Sequence, residues 1–217
     1  MIAYSTSRAP QESRPFDKSR TEPASFALKQ SQPALFFGAG SEIYGQGEKA
    51  GNLYQVEFGA VRVYRLLSDG RRQISAFHLA GETFGFEADS THHSFAEAIV
   101  STGIHAFCLP TGVDFSRELL PLALRGMTRA QEHLLVLGRQ NAIERVAAFL
   151  VDMAERQGGL NEVELPMSRQ DIGDYLGLTI ETVSRIFSRL RGKGIIKLRG
   201  LRTVEIARLA TLETMCE

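Results

Sequence analysis

The chain has 217 residues and no formal net charge, because 25 Lys and Arg are balanced by 25 Asp and Glu. This balance argues against a protein that coats nucleic acid regardless of sequence, which would be basic throughout. The two cysteines, Cys108 and Cys216, are too few for a disulfide framework, and neither a secretory signal nor a membrane-length apolar run is visible. We therefore expect a cytoplasmic protein without a membrane partner.

Residues 1–32 are rich in Ser, Pro, Gln and Arg. They hold too few large apolar side chains to offset the entropy that ordering would cost. We expect a disordered N-terminal tail; the alternative is that Phe26 and Leu28 dock on the following domain.

Residues 33–113 consist of short β-type runs separated by glycines. The clearest pair is a hairpin, in which residues 61–67 and 72–77 flank a Ser-Asp-Gly turn. Further short runs follow at a spacing of roughly ten residues, which is typical of a small β-roll or jelly roll. We therefore predict one β-sheet domain here.

Residues 114–140 show a helical period instead. Apolar side chains recur at alternating spacings of three and four, as positions a and d of a coiled-coil heptad do. This narrow stripe predicts a dimerisation helix; the alternative is a surface helix packed on its own domain. The seam consists of Leu120, Ala123, Met127, Ala130, Leu134 and Leu137.

Residues 141–217 form a further domain in this interpretation. Residues 142–156 carry an amphipathic helical pattern, and a short strand fits 162–165. Ser168 is a typical N-cap for the next helix, and Asp171 completes a capping-box pattern three residues later.

Two short helices follow, joined by a turn at Gly177, where a positive φ is cheap. Thr179 is the natural N-cap of the second helix. The pattern predicts a helix-turn-helix whose second helix enters the DNA major groove. Near its start, Arg185 can form two hydrogen bonds with guanine, Glu181 can accept one from cytosine, and Ser184 can contact a base or a thymine methyl group.

Local charge supports DNA binding by this segment, since residues 180–202 hold seven Lys and Arg and one acid, Glu181. A β-hairpin wing is predicted over 194–206, with a solvated hairpin as the alternative. For Glu181 and Arg185 the alternative is an i,i+4 ion pair on a solvated helix. Phosphate contacts are expected from the helix starts and the wing. The candidates are Ser168, Arg169, Gln170, Thr182, Arg189 and Lys197, with Arg199 and Arg202 beside the last on the wing.

No catalytic constellation is visible in the sequence. There is no GxGxxG motif, no P-loop and no paired nucleophile and base, so we do not expect an enzyme. The adjacent histidines at 92 and 93 are interpreted as part of a polar loop. We predict no metal and no cofactor, because no ligand spacing links the conceivable ligands. Those are His78, His92, His93 and His105.

Three segments, 77–87, 141–150 and 168–191, resemble the Crp/Fnr family of transcription regulators. The similarity is greatest to the FixK branch, the rhizobial regulators of microaerobic and nitrogen-fixation genes. The resemblance implies an α+β fold with an N-terminal cyclic-nucleotide-binding-type β-roll, a long dimerisation helix and a C-terminal winged helix-turn-helix. It also implies a homodimer that binds double-stranded DNA and acts mainly as an activator.

The family's base-reading pattern, Glu-x-x-Ser-Arg, falls on Glu181, Ser184 and Arg185. In Fnr and FixK proteins this pattern implies a palindrome of TTGAT and ATCAA half-sites separated by four base pairs. Cyclic-AMP receptor proteins have an Arg just before the Glu, whereas this chain has Ile180, which argues against their TGTGA half-site. By the same resemblance a hairpin turn contacts RNA polymerase, with an ordinary solvated turn as the alternative. That turn consists of Ser68, Asp69, Gly70 and Arg71.

The chain departs from the family at its two familiar ligands. Fnr proteins hold an iron–sulfur cluster with cysteines near the N-terminus, and two cysteines cannot supply the usual four ligands. Cyclic-nucleotide binders take the phosphate with an Arg-Ser pair and the ribose with a Glu. Here His93 and Ser94 occupy the first place and Phe86 the second. We expect activity without a bound effector; the alternative is a regulator gated by an unidentified small molecule in the β-roll.

Overall fold

A computed structural model describes residues 33–108, 116–159 and 161–216. The predicted tail, residues 1–32, lies outside them. Among the described helices, none combines the length and the apolar character needed to cross a bilayer. In chain order the elements are β1 (Leu35–Phe37), β2 (Glu42–Tyr44), β3 (Asn52–Phe58), β4 (Ala60–Leu66), β5 (Arg72–Leu79), β6 (Thr83–Phe84), β7 (Phe95–Ala98), β8 (Thr102–Cys108), α1 (Ser116–Leu137), α2 (Ala142–Arg156), β9 (Glu162–Glu164), α3 (Arg169–Leu176), α4 (Ile180–Gly192), β10 (Ile196–Leu198), β11 (Thr203–Ile206) and α5 (Leu209–Thr214).

The N-terminal strands form two antiparallel sheets, ordered β1-β8-β3-β6 and β2-β7-β4-β5. Successive residues of a strand face opposite sides, so alternate side chains point into the space between the sheets. Val56, Val61 and Ile104 are wholly buried. This is the β-roll that the short apolar runs predict. Strands β2 and β6 were not predicted, because they have only three and two residues and depend on pairing with distant strands.

The predicted hairpin is confirmed as β4 and β5, which pair along their length. Gly70 closes the turn with a φ of +82°, a conformation that costs glycine little. Leu67 donates its backbone N–H to the Arg71 carbonyl at 2.8 Å. From this turn β5 runs back to the junction with the C-terminal unit.

Helix α1 has 22 residues and lies in the chain between the two folded units. One side faces the body of the protein, where His133 is only 8% exposed. The other side leaves large apolar side chains in solvent, which is the arrangement that an association surface requires. Those side chains are Leu120, Leu124, Met127, Leu134 and Leu135, each at least 47% exposed.

The C-terminal unit is a winged helix. Helices α2, α3 and α4 enclose a core in which Leu150, Ile172 and Leu190 are wholly buried. In the antiparallel sheet β10-β11-β9, β9 is the strand predicted near residue 162, and β10 and β11 form the predicted wing. The short helix α5, which was not predicted, packs on α2 and buries Leu212.

The β-roll and the winged helix share one hydrophobic core. The ring of Phe77 in β5 lies 5.0 Å from that of Tyr175 in α3 and 6.3 Å from that of Phe149 in α2, measured between centroids. Ile74 of β5 is wholly buried in the same cluster. Because α3 packs on β5, the β-roll helps to fix the position of the winged helix.

Candidate nucleic-acid interface

Helix α3 begins with a complete capping box. The Ser168 Oγ accepts the Asp171 backbone N–H at 3.0 Å, and the Asp171 carboxylate accepts the Ser168 backbone N–H at 3.0 Å. The Ser168 hydroxyl donates to the same carboxylate at 2.7 Å. These bonds satisfy donors that a helix start leaves unpaired. The predicted N-cap is confirmed.

Two glycines shape the turn between α3 and α4. Gly177 has a φ of +64°, in the left-handed region that its predicted role requires. A Cβ on Gly173 would lie 2.7 Å from the Leu178 carbonyl oxygen. Only glycine at position 173 therefore allows the two helices to approach this closely, a constraint that the sequence analysis misses.

Helix α4 has one apolar and one polar face. Thr179 caps it, as predicted, by accepting the Thr182 backbone N–H at 3.3 Å. Val183, Phe187 and Leu190 are buried against the core, which turns the opposite side to solvent. That exposed side carries Glu181, Ser184, Arg185, Ser188 and Arg189.

The three residues predicted to read bases lie together on this exposed side. Glu181, Ser184 and Arg185 are spaced i, i+3 and i+4, which makes them neighbours on one helix surface. The Glu181 backbone N–H and the Thr179 hydroxyl hold the pKa of the Glu181 carboxyl below its usual value, so it remains an ionised acceptor. Among the described contacts Glu181 and Arg185 are not an ion pair; the Arg185 guanidinium donates to the Thr182 hydroxyl at 3.3 Å.

The predicted phosphate contacts at the start of α3 are partly engaged within the protein. Ser168 serves the capping box, and Gln170 donates to the Asp174 carboxylate at 2.6 Å. The Arg169 guanidinium carbon lies 3.3 Å from the centroid of the Phe187 ring. Loss of water lowers the pKa of Arg169 to about 10. This stacking of Arg169 on Phe187 holds the start of α3 against α4.

The remaining phosphate candidates lie on the wing and at the end of α4. Lys197 donates to Glu205 at 2.7 Å, and Arg199 binds the other oxygen of that carboxylate. The hydrogen bond from Lys197 contributes most, and that from Arg199 next, to holding the pKa of Glu205 below its usual value. One acid thus offsets two cations, and the exposed Arg189 and Arg202 add further positive charge.

An ion-pair cluster that the sequence analysis misses holds α3 on the β-roll. The buried Asp171 accepts from Arg62 of β4 at 3.0 Å and from Arg72 of β5 at 3.1 Å. Arg72 also bonds Asp174 at 3.1 Å. Arg62 and Asp171 are 109 positions apart, so only the folded chain brings them together. We call Arg62, Arg72, Asp171 and Asp174 the Asp171 cluster.

Helix α1 contacts α3 through His133. The His133 ring stacks on that of Tyr175, with centroids 3.7 Å and planes 5° apart. Its Nε2 atom lies 2.9 Å from the Tyr175 carbonyl oxygen, so the imidazole donates there. Desolvation holds the pKa of His133 below its usual value. In the sequence, this contact is indicated only by the presence of a histidine, His133, within the helical pattern of α1.

Of the six α1 residues predicted to form the dimer seam, four are exposed and two are half-buried. The exposed residues are Leu120, Met127, Ala130 and Leu134, and the half-buried ones are Ala123 and Leu137. Leu124 and Leu135 lie on the same open side. The apolar stripe is therefore wider than the heptad pattern predicts.

The adjacent histidines at 92 and 93 have different surroundings, and the resemblance places only His93 where nucleotide binders have an Arg. His92 is 1% exposed and stacks on Tyr44 with ring centroids 3.7 Å apart, while its Nδ1 lies 3.2 Å from the Glu87 carboxylate. His93 is exposed and lies 2.9 Å from the Asp89 carboxylate. Both histidines lie in a loop, as predicted, but the ring of His92 is buried inside the roll. Within the described ranges, no group of His, Cys, Asp and Glu could hold a metal ion.

The turn predicted to contact RNA polymerase is accessible. Residues 68–71 are all exposed. An ion pair of 2.7 Å between Arg71 and Asp69 crosses the turn. The accessibility fits both a protein contact and an ordinary solvated turn.

A β-roll, a long helix with an open apolar side and a winged helix-turn-helix together define a class of protein, the DNA-binding transcription regulators of Crp type. Comparison with protein families agrees with this class. The cyclic nucleotide-binding domain family matches residues 34–114, and the Crp-like helix-turn-helix domain family matches residues 144–215.

Comparison with individual proteins shows which Crp-type regulators this chain is similar to. The nitrogen fixation regulation protein FixK of Rhizobium meliloti strain 1021 is 54% identical over 205 residues, which cover 91% of this chain and 97% of that protein. FixK of Azorhizobium caulinodans is 43% identical over 194 residues, covering 84% and 78%. The solved structure of FixK2 from Bradyrhizobium japonicum has a TM-score of 0.79 at 43% identity, covering 86% of this chain and 98% of that one. The chain belongs to the Crp/Fnr family and is a transcription regulator of the FixK type, which confirms the resemblance and the fold class.

Proposed function

We propose that the protein is a homodimeric activator that binds a palindrome of TTGAT and ATCAA half-sites and controls genes of microaerobic metabolism and nitrogen fixation. The observation that carries this proposal is the exposed face of α4, on which Glu181, Ser184 and Arg185 stand free of the core. The FixK relatives support the choice of genes.

The base contacts follow from side-chain chemistry. The Arg185 guanidinium presents a fork of donors that matches guanine O6 and N7, and the ionised Glu181 accepts from cytosine N4. Ser184 contacts a base or a thymine methyl group. Ile180 supplies no guanidinium of its own, which favours TTGAT over TGTGA.

Phosphate contacts position the reading helix without carrying sequence information. We assign them to side chains around the start of α3, the start and end of α4, and the wing. They are Ser168, Arg169, Gln170, Thr182, Arg189 and Lys197.

Dimerisation is assigned to the open side of α1. A five-base half-site is too short to be selective in a genome, so specificity requires two readers held at a fixed spacing. The exposed Leu120, Met127 and Leu134 supply an apolar surface for that association.

We propose that neither an iron–sulfur cluster nor a cyclic nucleotide switches the protein. His93, which stands where nucleotide binders have an Arg, is engaged with Asp89, and His92 fills space inside the roll. Contact with RNA polymerase is assigned to the exposed turn at residues 68–71. Such a protein acts in the cytoplasm.

A second candidate, gating by a small molecule, is favoured by a cavity of about 350 Å³ where α1 meets β5, α2 and α3. His78, Arg129 and Tyr175 are among its lining residues. This cavity lies beside the β-roll and not inside it.

An electrophoretic shift with purified, ligand-free protein tests the proposal. Tight binding to the TTGAT–ATCAA duplex, with weak binding to a scrambled duplex of equal composition, is the expected result. Binding that appears only after addition of a cell extract would favour gating by a small molecule. Equal affinity for both duplexes would reject the assigned palindrome.

A further inference from the structure

A second cavity, of about 360 Å³, lies between the β-roll and the winged helix. Three elements and the tip of the wing meet there, and each contributes an arginine. They are Arg62 of β4, Arg72 of β5, Arg169 of α3 and Arg202 of the wing. We call this cavity the arginine junction.

The acids at the arginine junction satisfy only part of this positive charge. Asp171 lines the cavity and accepts from Arg62 and Arg72. Glu97 and Asp174 take further donors of those two arginines. Three carboxylates therefore face four guanidinium groups, which leaves one positive charge in excess.

Several guanidinium donors at the arginine junction have no acceptor within the described protein. The Arg62 Nε is buried and has no hydrogen-bond partner among the described atoms. The half-buried Arg169 and the exposed Arg202 form no ion pair with any described residue. The Arg169 guanidinium stacks on the face of the Phe187 ring. Its pKa is lowered by desolvation, which no neighbouring anion offsets. Because the Arg62 Nε has almost no accessible surface, the donors open to an anion in the cavity are the guanidinium groups of Arg72, Arg169 and Arg202. Their positive charge favours a ligand that supplies oxygen acceptors.

Guanidinium forks match the oxygens of phosphate in shape and charge. The cavity is larger than a phosphate ion, so it also has room for the organic part of a small phosphate monoester. We propose that the arginine junction binds a phosphate-class oxyanion, and that the bound anion ties the wing and α3 to the β-roll.

Free phosphate and a DNA backbone phosphate offer the same chemistry. Arg169 is already assigned to DNA phosphate, but Arg62 and Arg72 come from the β-roll and lie within the Asp171 cluster. Their participation favours a free anion, which can enter a junction between two units more readily than a duplex can. The proposal therefore does not depend on DNA binding.

The test is a titration of the full-length protein with inorganic phosphate against sodium chloride of equal ionic strength. We expect a saturable rise of Tm and a saturable heat of binding in phosphate alone. Loss of one charge-assisted hydrogen bond should weaken the phosphate affinity of Arg202→Gln by about tenfold. Arg199→Gln is the matched control, because it removes the same charge from the same wing without lining the cavity. It should bind phosphate as the wild type does.

Three results would overturn the proposal. The first is equal stabilisation by phosphate and chloride. The second is equal phosphate affinity of Arg202→Gln and Arg199→Gln. The third is a wild type that binds no free phosphate while Arg202→Gln loses affinity for every duplex, because the junction would then serve the DNA backbone. Since the titration contains no DNA, a failed palindrome leaves its result intact.

Discussion

Asp171 joins two tasks in one buried carboxylate. It completes the capping box of α3 by accepting from Ser168, and it accepts from Arg62 and Arg72 of the β-roll. A change at this residue therefore affects both the start of the helix and the docking of the helix on the roll. The sequence predicts the first task from local spacing, but the second depends on partners about a hundred residues away.

Asp171→Asn keeps the shape of the side chain and removes its charge. We expect the free energy of unfolding to fall by about 3 kcal/mol, because two partly buried arginines lose their shared partner. Urea denaturation measures the change. Asp69→Asn, in the exposed turn, is the control and should leave stability unchanged within error. Similar stability of the two variants would contradict the structural role of the Asp171 cluster.

Arg185→Ala tests the assigned base reader. We expect a loss of about 1–3 kcal/mol of binding free energy on the palindrome and relaxed selection at the contacted guanine. Gel shifts on a set of duplexes substituted at that base pair measure both effects. Arg191→Ala removes the same charge from the last turn of α4 and should weaken all duplexes alike. If Arg185→Ala also weakened all of them alike, Arg185 would be a phosphate contact.

Among the structural elements, the helix caps and turns were the most predictable features because their sequence signals are local. Ser168, Gly177 and Thr179 fix the bounds of α3 and α4 through contacts within a few residues. The short strands β2 and β6 were not predictable, since each pairs with a strand far along the chain. The burial of His92 was hidden for the same reason, as its neighbour Tyr44 lies in β2.

The proposed dimer depends on the open apolar side of helix α1. Leu134 is 67% exposed on the open apolar side, so Leu134→Glu should place a charge inside the dimer contact and produce monomers. Sedimentation velocity measures the mass. Arg125→Glu, on the opposite side of the same helix, is the control and should remain dimeric. An unchanged dimer in Leu134→Glu would reject the open side of α1 as the interface.

Two histidines that line the cavity between α1 and β5, His78 and His133, link the stability of the whole protein to pH. Burial lowers the pKa of His78 from 6.5 to about 4 and also lowers that of His133. Below about pH 6.5 the unfolded chain therefore binds protons that the folded protein does not. This difference must reduce the free energy of unfolding as the pH falls.

We expect the free energy of unfolding to decrease between pH 6.5 and about 4, by roughly 1 kcal/mol per pH unit for each histidine that stays neutral in the fold. Urea denaturation at a series of pH values measures the slope. His78→Gln should flatten it, whereas His105→Gln, on the more exposed surface of β8, should not. A profile without slope in this range would mean that both histidines titrate alike in the folded and unfolded states.

The contact between His133 and Tyr175 has a geometric consequence for the proposed dimer. Helix α1 is about 33 Å long, and the twofold axis of the proposed dimer would place the same contact in each protomer. A small tilt of α3 about Tyr175 that moved each reading helix α4 along the line joining the two would then change their separation by twice the displacement of either one. Successive base pairs are about 3.4 Å apart along the duplex. A tilt that moved each reading helix by half that spacing along the duplex would change their separation by the rise of one base pair.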